Sequence, residues 1–245
     1  MLDLLLLFIT VLGSGSLFFF IRNPSGKLLK LILAFSGAFL FAISVMHLMP
    51  EVYRMGGNGV GAWIMLGFLL QIVLEFFSEG IEHGHIHVHK ETGASFPLGM
   101  MISLSLHSFL EGLPLGTFED GLQQTSDLSH NHSLLYGIML HHLPVAFLLV
   151  SMLQASGINR AKTLVLLVIF AAMAPLGAVC GDLIHQYAIT GIIPYLDKTM
   201  GIVIGIFLHI STTILFETGS DHRFNIYKMI TVITGALIGL VSFWH

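Results

Sequence analysis

Charge is scarce in this chain. Asp, Glu, Lys and Arg together make up 10% of its 245 residues, against about 25% in an ordinary soluble domain. A chain this poor in charge lacks the polar surface to cover itself in water, so a soluble fold is excluded. Cysteine is scarcer still. The only one, Cys180, lies in an apolar run, and no intrachain disulfide is possible. The amino-terminal end lacks a basic leader region and carries Asp3 instead. It reads as a first spanning helix rather than a cleaved signal peptide. The net charge of −4 says little about partners, and nothing points to nucleic acid.

What is present is apolar. Hydrophobic residues make up 55% of the chain, and the mean hydropathy is +0.86. A helix needs roughly 20 such residues to cross about 30 Å of hydrocarbon. Runs of that kind occupy 4–21, 31–50, 60–78, 96–118, 133–154, 163–184, 199–217 and 228–244. They predict an all-α polytopic membrane protein with eight transmembrane helices, here called spans 1 to 8. The connections are short and polar, so 1–245 reads as a single transmembrane domain, with a histidine-rich loop at 82–93.

The basic residues give the sidedness. Odd-numbered loops and their flanks hold Arg22, Lys27, Lys30, Lys90, Arg160, Lys162, Arg223 and Lys228, whereas even-numbered loops hold only Arg54 and Lys198. Basic residues favour the cytoplasmic side. The odd loops, including 82–93, are thus expected inside and both termini outside. Gly37, Phe39, Leu40 and Glu51 in span 2 are echoed by Gly205, Phe207, Leu208 and Glu217 in span 7. Spans 1–3 and 6–8 would then form an inverted 3+3 repeat around central spans 4 and 5. Chance recurrence in glycine-rich helices explains four matched residues about as well.

Against this apolar background, span 4 reads L-S-L-H-S-F-L-E-G-L-P-L-G, with His107, Ser108 and Glu111 deep in the run. A carboxylate at mid-membrane costs roughly 2.5–3.5 kcal/mol on insertion scales, so it faces a cavity or a partner. His107 and Glu111 are four residues apart and share a helix face. Imidazole plus carboxylate on one face supplies the first ligands of a zinc-type site. Span 5 reads M-L-H-H-L-P-V-A, with His141 and His142 equally deep. Pro144 frees the carbonyl of Leu140, and Pro114 does the same for Leu110 in span 4. Unwound backbone beside polar side chains is expected where it lines a wet cavity. Any one of these histidines could be a structural hydrogen bond between helices. Three with a glutamate, beside two prolines, point to a divalent transition metal.

Other polar groups flank this cluster. His47 and Glu51 share a face at the outer end of span 2, a place for gating. Asp182, His185, Glu119, Asp120, Asp127, His130 and His132 lie toward the same side and would concentrate cations, or are ordinary solvated loop residues. Span 3 ends with Glu75, Glu79 and Glu82 on one face, followed by His83, His85, His87 and His89. Such tracts chelate transition metals, and this one suits a cytoplasmic metal-binding loop. His209, Ser211, Thr212 and Thr213 in span 7 could simply pack helices.

These residues resemble the Zrt/Irt-like (ZIP) family of divalent metal transporters. The likeness covers nearly the whole chain: eight spans, the histidine-rich loop between spans 3 and 4, and H-L-M-P-E closing span 2. The family's span 4 motif is H-N-x-x-E/D-G, and here it is H-S-F-L-E-G. Its span 5 motif is H-E-x-P-H-E or Q/H-D-x-P-E-G, and here it is H-H-L-P-V-A. Its span 6 E-P-L-G corresponds to A-P-L-G-A at 174–178. The resemblance implies that His107, Glu111 and His141 ligate the main transported metal, and that Ser108 and His142 fall at a second position. Val145, His142, Ala174 and Ser108 depart from the pattern, leaving Glu111 as the only acid in the core. One metal site rather than two is therefore expected, with a histidine richness that favours Zn(II) over Mg(II) or Ca(II).

The expected function is transport of Zn(II), or a similar divalent ion, into the cytoplasm across the cell (inner) membrane. The metal is substrate, and no cofactor is expected. The resemblance further implies a homodimer in the lipid bilayer, in which spans 1, 4, 5 and 6 slide past spans 2, 3, 7 and 8. Two rivals stand beside it. An intramembrane zinc metallohydrolase would need an open water position and a general base, and no H-E-x-x-H occurs. A metal sensor on a transporter scaffold would account for the ligands missing at Val145 and Ala174.

Overall fold

A computed structural model describes residues 2–21, 26–78, 98–121, 129–186, 196–216 and 226–242. Among these residues there are nine α-helices and no strand: α1 (Leu2–Leu17), α2 (Gly26–Ile43), α3 (Met49–Gly56), α4 (Val60–Ser78), α5 (Leu98–Gly121), α6 (Ser129–Ala155), α7 (Arg160–Gln186), α8 (Leu196–Phe216) and α9 (Ile226–Val241). Helix is what apolar solvent demands, because it pairs every backbone N–H and C=O within its own segment. Five stretches are long and apolar enough to cross a membrane: 27–77, 98–116, 134–155, 160–184 and 198–216. The apolar helices α1 and α9 are shorter. The chain is a multi-pass membrane protein. His83, His85, His87 and His89, with Glu79, Glu82 and Asp127, lie outside the described residues, as do the side chains of Glu119, Asp120, His130, His132 and His185.

The first stretch holds 51 residues, which as one straight helix would extend about 77 Å at about 1.5 Å per residue. It is interrupted instead. A π turn at Ser44–Leu48 closes with the Met49 N–H donating to the Ser44 carbonyl. Pro50 follows in the first turn of α3, where a missing N–H matters least. Gly57, at φ +64°, ends α3 in the left-handed region that glycine enters without steric cost.

Prolines lie inside three other helices: Pro114 in α5, Pro144 in α6 and Pro175 in α7. The sequence suggests unwound backbone at the first two. Both helices instead continue through their prolines. A proline removes one donor, and its neighbours' bonds suffice to hold the turn when packing supports it.

The helices fall into two groups by packing. α5 lies along α7, and α1 packs on α6 and α7. α4 lies along α8, and α2 packs on α8 and α9. The groups meet through α2 with α6, and through α4 and α8 with α5. Small residues set the closeness within each group, as expected where lipid offers no hydrophobic drive between helices. A Cβ added at Gly112 would lie 2.0 Å from the Ala174 carbonyl oxygen, and one at Gly116 would lie 1.9 Å from that of Ala178. In the second group, a Cβ at Gly67 would lie 1.9 Å from the Ile202 oxygen, and one at Gly205 would lie 2.0 Å from that of Ile64. Side chains at these positions would force the backbones apart. Two hydroxyls add interhelical bonds: Ser14 donates to the Leu143 carbonyl within the first group, and Ser103 donates to the Leu74 carbonyl between the groups.

Candidate metal site between α5 and α6

α5 carries His107 and Glu111 one turn apart, and α6 brings His141 and His142 against them. All four residues are at most 1% exposed. Glu111 stands between two imidazoles. His107 Nε2 lies 3.1 Å from its Oε1, and His142 Nε2 lies 2.8 Å from its Oε2. One ligand atom from each of His107, Glu111 and His142 can be chosen so that all three lie within 4.8 Å of one another. Two imidazole nitrogens and a carboxylate oxygen, gathered in an interior closed to bulk water, form a donor set suited to Zn(II) and other borderline ions.

His141 occupies a different place. Its ring stands edge-on to His107 with centroids 6.0 Å apart, and 5.9 Å from the ring of His142. It is outside the three-residue cluster. Successive helix positions differ by about 100°, so the two adjacent histidines leave α6 in different directions. Ser108 is buried on α5. Val145 on α6 and Ala174 on α7 are at most 1% exposed, and the Phe170 ring stands edge-on to His142 at 5.8 Å.

His47 and Glu51 are placed differently. His47 sits in the π turn and is buried, at 8% exposure. The Glu51 carboxylate is held by Arg54, three residues on, at 2.5 and 2.6 Å. That partner lies on the next helical turn and was legible from spacing alone.

One pairing has no sequence signal. His209 Nε2 on α8 meets Glu75 Oε2 on α4 at 2.5 Å, and the Phe68 ring lies edge-on to the same imidazole. The two residues are 134 positions apart, and no periodicity links them. The neighbouring Ser211, Thr212 and Thr213 hydroxyls bond back to carbonyls of their own helix. Phe170 against His142 is the second contact that spacing could not supply.

Residues 98–242 match the family model described as ZIP zinc transporter. Three similar proteins illustrate the relation. Protein zntD of Dictyostelium discoideum is 26% identical over 181 residues, covering 68% of this chain and 25% of that protein. Zinc transporter ZIP9-B of Xenopus laevis is 29% identical over 117 residues, covering 48% of this chain and 37% of that protein. Zinc transporter ZIP9 of Micropogonias undulatus is 28% identical over 116 residues, covering 47% of this chain and 36% of that protein. The chain thus spans well under two thirds of the length of the relatives it matches.

Proposed function

Because the chain belongs to the ZIP zinc transporter family, we propose that it carries divalent transition-metal ions, Zn(II) foremost, across the membrane through the site formed by His107, Glu111 and His142. The observation that carries this reading is the buried carboxylate with an imidazole on each of its oxygens. The family is one of transporters and not of enzymes, which sets the metallohydrolase aside.

The finer reading is as follows. The chain is one transmembrane domain crossing the membrane eight times, with α2 to α4 contributing two crossings separated at Gly57. The bias of basic residues supports termini outside and loop 82–93 inside. An inverted repeat draws support from the packing: exchanging α1 with α7, α2 with α8 and α4 with α9 turns the α4–α8 pair into the α9–α2 pair. The two packing groups are suited to an elevator movement, in which α1, α5, α6 and α7 carry the ion past α2, α4, α8 and α9. The ion travels inward across the cell membrane, and the chain works as a homodimer. His47 serves the outer mouth with Glu51, and His83, His85, His87 and His89 receive the ion.

The site holds one metal. His107, Glu111 and His142 are its ligands, and His141 and Ser108 support them. Few ligands favour release, and conduction needs binding that does not trap the ion. The buried apolar residues Val145 and Ala174 also suit the second reading, a non-transporting sensor. Zinc flux into proteoliposomes separates the two, since a sensor binds and does not move the ion. In that assay Glu111→Ala should lower uptake to background. Retained uptake would place the pathway elsewhere.

A further inference from the structure

On the reading of the site given above, we propose that Phe170 sets metal selectivity, by orienting His142 and by keeping water off the α7 side of the His107–Glu111–His142 site. Phe170 is one of the two largest fully buried side chains among the described residues. Its ring meets the imidazole of His142 edge-on, with centroids 5.8 Å apart and planes at 71°. The Nε2 of that same imidazole lies 2.8 Å from Glu111 Oε2. The same imidazole thus touches both an aromatic ring and a carboxylate. One turn further along α7 comes Ala174, whose carbonyl oxygen sits so close to Gly112, the neighbour of Glu111, that no Cβ fits between them. α7 is pressed onto α5 at Gly112, next in sequence to Glu111, and Phe170 and Ala174 offer no donor side chain to an ion.

The consequence is selection by dehydration. Mg(II) gives up its water reluctantly and requires near-octahedral oxygen coordination. Zn(II) accepts a small nitrogen and oxygen set with tetrahedral geometry. A dry wall against two imidazoles and one carboxylate thus favours the ion that exchanges water for imidazole. Truncating Phe170 opens space beside His142 and Glu111, polar enough there to hold water. A partly hydrated, harder ion then fits.

The test is competition between metals. Zinc uptake by the full chain in proteoliposomes is measured against increasing Mn(II) and Mg(II), and the same ratios are read from zinc binding to the detergent-purified chain. Phe170→Ala should strengthen Mn(II) competition relative to zinc by roughly 10-fold or more, a shift in the difference between two affinities. Phe170→Leu refills the space with apolar atoms and should stay within about 3-fold of wild type. Where Phe170→Ala does not assemble, Phe170→Val opens part of the same space and should shift the ratio in the same direction. A folded Ala or Val variant with an unchanged Mn-to-Zn ratio overturns the proposal, whatever its zinc uptake. A Leu variant as permissive as Ala overturns it too. Wild-type protein that binds zinc but moves none defeats the transport reading alone, because the binding ratio still reports on Phe170.

Discussion

Two histidine–glutamate associations among the described residues differ in burial and in make-up. Between α5 and α6, Glu111 is fully buried and engages an imidazole with each oxygen. Between α4 and α8, Glu75 meets the imidazole of His209, and its side chain is 26% exposed. A histidine–carboxylate contact of this kind ties two helices together, and such bonds average about 0.6 kcal/mol in membranes. One carboxylate with two histidines gathers three donors at a point, more than helix adhesion needs. On the proposed function, enclosure and the gathering of three ligand groups, rather than the presence of histidine and glutamate, separate the proposed metal site from the α4–α8 pair.

Breaking each side tests that distinction. Removing the proposed ligand His142 as His142→Ala should cut zinc uptake by at least about 100-fold, beyond the 10–100-fold typical of residues that merely support ligands. His141→Ala should fall within that supporting range, at about 10-fold. The two measured side by side in proteoliposomes decide which histidine faces the metal, and a larger loss at His141 would reverse the assignment made here. Gly112→Ala attacks the backing of the site. It should cost about 1–3 kcal/mol, as overpacking does, and lower the unfolding temperature in detergent, whereas Gly13→Ala, with nothing within 4 Å of the added carbon, should leave it unchanged. The smallest effect belongs to the tie. Glu75→Gln and His209→Gln, combined in a double-mutant cycle, should show a coupling of roughly 0.6 to 1.7 kcal/mol in stability. Each should keep zinc uptake per folded molecule within about 3-fold of wild type. Uptake falling to background would place Glu75 and His209 on the ion path.

Legibility followed the range of the interactions. The turn at 156–159, between α6 and α7, is an example of what short range reveals. Its Asn159 side chain accepts from the Lys162 N–H at 2.9 Å and starts α7, and its Gly157 takes φ +78°. Such punctuation is written in residue types. The facing of His107 and Glu111 came from a four-residue spacing within one helix. The choice between His141 and His142 did not, because it depends on how α6 is rotated against α5. The prolines were misleading as signs of unwinding, since residue type gives the lost donor but not the packing that keeps the helix whole.

By itself the sequence determined that the chain is helical, apolar enough to span a membrane, and furnished with an imidazole and a carboxylate one turn apart at buried depth. Those properties are set by composition and by spacing within a single helix. Only the tertiary structure decided that His142 meets Glu111, that Glu75 pairs with His209, and that the Phe170 ring stands against His142. Each of these joins residues on different helices, and glycine contacts such as Gly112 against Ala174 fix how closely those helices lie.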